Sequence, residues 1–149
     1  MINYFKQAER VLSERGTLER ALGNLEQRRA RIVKQGQPPE LKAVDPSRPH
    51  VSTSGADDAL TSCLDLVEIN RQISGTQEII AEIDAVLDQL DEADAKLLRA
   101  WYVEGATKKE IAVKLHLSPN STRSLYELKN NAVSTFAILY FGAGALGST

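Results

Sequence analysis

Two apolar seams of similar length, separated by a proline-rich break, constrain this 149-residue chain more than any other feature. The first runs Tyr4, Ala8, Val11, Arg15, Leu18, Leu22, Leu25, Arg29, Ile32, in steps that alternate four and three. The second runs Leu66, Ile69, Ile73, Thr76, Ile80, Ile83, Leu87, Leu90. Such steps place one narrow stripe along one side of an α-helix, and a stripe of this kind is buried against a partner helix. The first helix cannot persist alone. Arg15 and Arg29 sit on its seam and need either snorkelling or a facing acid. Gly16 and Gly23 each cost about 0.5–1 kcal/mol against alanine in a helix interior.

Between the seams, Gln35 to Ala56 loses all periodicity and holds Pro38, Pro39, Pro46 and Pro49, four of the five prolines. It reads as a mobile linker or a long irregular crossing without chemistry. His50 has no companion there that would make a metal site, and is expected in solvent. Asp57 and Asp58 then suit the positive end of a new helix. Charge adds direction. Met1 to Lys34 has eight Lys or Arg against four Glu, whereas Asp65 to Asp94 has nine Asp or Glu against Arg71. A basic helix lying along an acidic one predicts an antiparallel hairpin. Exposed ion pairs are each worth under about 1 kcal/mol, so charge selects orientation while the seams supply stability. An intermolecular coiled coil, a homodimer through the same heptad helices, would satisfy the seams equally. The expected fold is all-α: a heptad helix over 1–34, a linker over 35–56, a second heptad helix over 57–90, and a small helix-turn-helix domain over 91–149.

That last domain rests on Gly105 to Asn131, GATKKEIAVKLHLSPNSTRSLYELKNN. Thr107 with Glu110 three residues later spells a capping box, in which the hydroxyl accepts the amide of Glu110 and the carboxylate reaches back to the cap. Ser118 before Pro119 marks a second helix start, since serine caps and proline loses nothing at the first helical position. Only a tight turn fits between them. Ile111, Leu115, Leu117 and Leu125 carry the apolar spacing, and Ala112 is small where a neighbouring helix comes close. In a helix-turn-helix the second helix enters the DNA major groove while the first crosses the phosphate backbone. Asn120, Ser121, Arg123, Ser124 and Glu127 then form the outward face of the reading helix, with Thr122 and Leu125 inward. His116 stands at the turn where glycine is common, a position histidine tolerates. Two short helices at a corner also occur in proteins that never touch DNA.

The preceding block extends the pattern. Leu97, Leu98, Trp101 and Tyr102 lie on a helix expected to end at Gly105, and LLRAWYVEGATKKEIAVKLHLSPNSTRSLYELK resembles region 4 of bacterial sigma-70 factors and the C-terminal domains of LuxR-type regulators. Taken whole, the order of elements resembles the RinA and ArpU-like regulators of Gram-positive phages and prophages. That resemblance implies promoter binding at late phage genes. It implies DNA contact by Asn120, Ser121, Arg123 and Ser124, and phosphate contact by Thr107, Lys108 and Lys109.

The implied partner is double-stranded DNA. Two alternatives remain: a phage terminase small subunit, which joins a helix-turn-helix to a coiled coil to recognise packaging DNA, and a module that contacts RNA polymerase without reading DNA. Catalysis has little support. His50 and His116 are far apart, no glycine-rich phosphate loop occurs, and Asp84 with Asp88 reads as solvated helix surface. Cys63 is the sole cysteine, which rules out an internal disulfide framework or a cysteine-rich zinc site; neither a cofactor nor a metal is expected. MINYFKQAER lacks the basic start and apolar run of a signal peptide, so a cytoplasmic protein without membrane contact is the expectation. After the motif, the apolar stretch AVSTFAILYF is expected to extend the reading helix and pack back on Trp101, with fraying beyond Gly142.

Overall fold

The computed structural model describes residues 2–36, 53–118 and 122–147. Among them every regular element is helical: α1 (Tyr4–Gly36), α2 (Thr53–Leu87), α3 (Glu92–Leu98), a π-helical turn (Arg99–Val103), α4 (Lys108–Lys114), α5 (Thr122–Phe141) and a 3₁₀ turn (Gly142–Ala145). The prolines of the linker, with His50, lie outside the described residues, as do Pro119, Asn120 and Ser121. Asn3 starts α1 by accepting the N–H of Lys6 at 3.1 Å. Both seams fall where the spacing puts them: every position of each is buried or half-buried.

The chain forms two compact units, Met1–Arg20 with Glu78–Thr149, and Ala21–Gln77. In the second unit Ile69 and Ile73 are buried, while Leu22, Leu25 and Ile32 are half-buried. Arg29 donates to Asn70 at 3.4 Å, and further along α1 Gly36 faces Ser62. The α2 number falls as the α1 number rises, so the two helices run antiparallel. Arg29 thus meets a side-chain amide on α2 rather than an acid.

In the first unit one core joins Ala8 and Leu12 of α1, Ile83, Val86 and Leu87 of α2, Leu90 and Leu98, and Ala132, Val133, Phe136 and Ala137 of α5. The seam arginine Arg15 does meet an acid. It forms a two-point contact with Asp84, Nε to Oδ1 at 2.9 Å and Nη2 to Oδ2 at 3.0 Å. Gly16 also has a use that helix propensity hides. A Cβ there would stand 3.3 Å from the carbonyl oxygen of Val103, so the missing side chain lets α1 approach the π-helical turn.

The C-terminal stretch differs from expectation in two ways. It does extend α5, but Phe136 is fully buried among α1 and α2 residues, and the Phe141 ring lies 5.3 Å from that of Tyr4. Phe136 packs with Ala8 and Leu12 of α1 and Ile83, Val86 and Leu87 of α2, while Trp101 belongs to a different core. Past Gly142 the chain is a 3₁₀ turn with Ala145 buried. Gly142, at φ +80°, redirects the backbone, and Gly144 fits against the Tyr4 hydroxyl, where a Cβ would be 3.3 Å from Oη.

Candidate nucleic-acid interface

The motif closes at each joint with identifiable hydrogen bonds. Gly105, at φ +64°, ends the π-helical turn, with Glu104 N–H donating to Arg99 at 2.8 Å and Ala106 N–H to Ala100 at 2.9 Å. Thr107 Oγ1 then accepts the N–H of Glu110 at 3.2 Å, which starts α4. Among the described residues only this hydroxyl half of the capping box forms; no bond returns from the Glu110 carboxylate to the cap. At the far end His116 takes φ +57°. Leu117 N–H donates to Ala112 at 2.8 Å and His116 N–H to Val113 at 3.1 Å, the bond pair of a Schellman ending. A second core, buried Leu97, Ala100, Ile111 and Leu125 with half-buried Trp101, Ala106, Leu115 and Leu117, fixes α4 and α5 against α3.

This scaffold presents the expected residues unevenly. Arg123 has 95% of its side chain exposed and stands 3.6 Å from Glu127 one turn on, while Ser124 is exposed beside it. Thr107, Lys108 and Lys109 are exposed at the start of α4. Lys108 Nζ lies 4.6 Å from the Tyr126 ring centroid. These residues border a groove of about 590 Å³ lined by Trp101, Ala106, Thr107, Lys108, Lys109, Ile111 and Tyr126. Ser118 is exposed, but Asn120 and Ser121 lie outside the described residues, and with them the start that Ser118 was expected to cap. Thr122, expected inward, is exposed. The inward row begins at Leu125, and Thr122, Arg123 and Ser124 before it are exposed.

Charge is redistributed in a way the sequence concealed. Lys129 is not a surface cation of the motif: it is 8% exposed, on the inward row between Leu125 and Ala132. Its Nζ stands 3.6 Å from Glu9 Oε2 and 5.4 Å from the Trp101 ring, with Phe5 and Tyr126 each at 5.8 Å. Glu9 Oε2 also accepts the Tyr102 hydroxyl at 2.6 Å. Burial, and then that hydrogen bond, push the Tyr102 phenol well above its ordinary range. A lysine at four-residue spacing from an inward leucine was the one available signal. Lys114 pairs with Glu104 at 2.8 Å. Among the described residues, Lys108 and Lys109 have no carboxylate within 4.0 Å, so they and Arg123 are the cations the motif turns outward.

Of the two acids read as solvated helix surface, Asp88 is exposed, while Asp84 is half-buried and paired. Arg15 and Arg99 converge on Asp84, and Arg99 also reaches Asp88 at 3.4 Å. The Arg15 hydrogen bonds hold the Asp84 carboxyl below the usual carboxylate range. Among the described residues no group of His, Cys, Asp and Glu could hold a metal ion, and no helix is long and apolar enough to cross a membrane. In comparisons with protein-family models, curated proteins and solved structures, nothing matches this chain.

Proposed function

We propose that the chain is a double-stranded DNA-binding transcriptional regulator that reads sequence with the first turns of α5. One observation carries this reading. Leu125 is locked into the second core while Arg123, Ser124 and Glu127 around it face solvent, and from the α4 start Lys108 lies over the Tyr126 ring of the same helix with Lys109 on the same groove. In such an arrangement phosphate contacts from α4 set the register and side chains of α5 meet base edges. The resemblance to the RinA and ArpU-like regulators adds the biological setting, control of phage or prophage late genes.

The test is binding to fragments of the chain's own genomic neighbourhood, followed by fluorescence anisotropy over a salt series. Saturable binding to one fragment is expected, weakening with salt as counterions are released. Arg123→Ala should cost about 1–3 kcal/mol on that fragment if the guanidinium reads a base, whereas Lys108→Ala or Lys109→Ala should lower the salt slope by about one. Unchanged binding by Arg123→Ala, with the fold intact, sinks the assignment of α5 as the reading helix. The pairing of Lys114 and Lys129 with carboxylates supports a second reading, a module that contacts RNA polymerase without reading DNA. Retention of polymerase in a pull-down together with no DNA binding at low salt would select it. A closed ring of many subunits would instead favour a packaging protein, the terminase small subunit.

A further inference from the structure

The groove bordered by α4 and α5 carries charges that nothing around it matches. Its floor is apolar and aromatic: buried Ile111, half-buried Trp101 and Ala106, and the Tyr126 ring set edge-on to Trp101 at 5.2 Å. Its rim carries exposed Lys108 and Lys109, and no Asp or Glu lines it. Among the described residues neither lysine has a carboxylate within 4.0 Å, and Lys108 Nζ stands 4.6 Å from the Tyr126 ring centroid. Glu127, next to Tyr126 in sequence, faces Arg123 instead. The groove lined by Asp88, Arg99, Glu104 and Lys114 is different, because it holds its own counter-ions: Arg99 meets Asp88 at 3.4 Å and Lys114 meets Glu104 at 2.8 Å.

We propose that the groove of Trp101, Ala106, Ile111 and Tyr126 docks an acidic peptide segment of a partner protein, with one large apolar side chain on its floor and flanking carboxylates on Lys108 and Lys109. Charge complementarity selects the sign of the occupant, since a rim with two unmatched cations and no acid favours an anion and disfavours a cation. The floor selects its class. An apolar side chain seated in a concave aromatic pocket is what anchors a peptide at a protein surface. Duplex DNA meets only the first requirement: it brings phosphates, but its base faces reach a protein pocket only when flipped out of the stack. A peptide supplies carboxylates and an apolar side chain from neighbouring residues.

Thr107, Lys108 and Lys109 line this groove and are also the residues assigned to phosphate. A peptide seated there takes the α4 contacts that set the register on a duplex, while Arg123 stays outside the groove lining. Peptide and duplex therefore compete, a competition that rests on the function proposed above. The partner's acidic segment then releases the chain from DNA by occupying its phosphate contacts, with no change of fold.

Selection of a random peptide display library on the full chain, counter-selected on Lys108→Gln with Lys109→Gln, tests the site without DNA. Enriched sequences should carry Asp or Glu on both sides of one large apolar residue. A tryptophan-free synthetic copy should shift the emission of Trp101, the sole tryptophan, saturably and less tightly as salt rises. Its affinity should fall about tenfold or more in the lysine variant, and stay unchanged in Lys96→Gln with Lys114→Gln, an equal loss of charge outside the groove. Alanine in place of the peptide's apolar residue should weaken it as much, a measurement made on the unaltered protein. No enrichment over the counter-selection, enriched sequences without acids, an unmoved Trp101 emission, or an equal loss in the control variant each overturns the proposal. So does a single-stranded oligonucleotide that moves Trp101 emission when no peptide does. The peptide should also displace a bound duplex fragment, and peptide and duplex held together would refute the competition. Peptide binding by a chain that binds no DNA upholds the docking site and refutes the DNA-reading function instead.

Discussion

Replacing Glu9 by Gln isolates what holds α5 to the start of α1. The side chains of Lys129 and Glu9 are 10% and 33% exposed, so the pair lies between two regimes. Exposed ion pairs contribute about 0–1 kcal/mol, and breaking a fully buried pair costs about 3–5 kcal/mol because one charge is left unpaired. Glu9→Gln should therefore cost about 2 kcal/mol: Lys129 keeps its aromatic neighbours, each cation–ring contact worth roughly 0.5–2 kcal/mol, but loses its carboxylate. Lys129→Met keeps most of the volume and the ring contacts, and Glu9 retains Tyr102, so it should cost about 1 kcal/mol. In the double variant neither charge remains, and its cost should stay close to that of Lys129→Met alone, a coupling of about 2 kcal/mol.

Trp101 is the only tryptophan and forms one wall around the lysine, so its fluorescence reports melting at the site itself. Two kcal/mol corresponds to a melting shift of roughly 4–8 °C for a chain of this size. Additive single costs, or a Glu9→Gln shift below about 1 °C, would refute the claim that this pair locks α5 to α1. An alkaline limb belongs to the same site. The Tyr102 phenol is raised in the fold, so its contribution is fully present below its ordinary value of 10.0 and is lost as pH rises through the higher folded value. Tyr102→Phe should remove that limb.

Gly16→Ala and Gly23→Ala should move in opposite directions. A Cβ at Gly16 would meet the Val103 backbone oxygen at 3.3 Å, whereas one at Gly23 meets nothing within 4 Å. The first should lower stability by about 1 kcal/mol and the second raise it by about 0.5–1 kcal/mol in chemical denaturation. Asp84→Asn should cost about 1–2 kcal/mol at neutral pH, because Arg15 loses its two-point partner. The Asp84 carboxyl is depressed in the fold, so its stabilisation is present above the unfolded value near 3.8 and is lost as pH falls through the lower folded one. Melting curves of Asp84→Asn should therefore fall less steeply than wild type in that acid range.

What the sequence made legible was everything governed by local spacing. Heptad steps located both seams, Thr107 and Glu110 located the start of α4, and histidine at position 116 gave the left-handed turn. What it hid was which remote face each stripe would meet. The row Leu125, Lys129, Ala132, Val133, Phe136 has helical period, but period names a face and not its partner. The period leaves Phe136 free to return to Trp101, and in the fold it joins α1 and α2 residues instead. Lys129 is charged on an otherwise apolar row, and only the placement of Glu9, 120 positions earlier, reveals its counter-ion.

These placements divide the labour along a single helix. The first turns of α5 carry Arg123, Ser124 and Glu127 to solvent, while the turns from Ala132 onward are a central strut of the core formed with α1 and α2. Lys129 lies between the two halves, tied to α1 through Glu9. A helix anchored over most of its length holds its exposed side chains in one orientation more firmly than a loop would. The hairpin is therefore part of the site's rigidity even though its residues are remote from DNA in the proposed reading. Substitutions at Glu9 or Phe136 should weaken binding only as far as they let α5 move or unfold, whereas Arg123→Ala should weaken it in a protein that melts like wild type. Comparing the two kinds of variant at equal folded fraction separates positioning from contact.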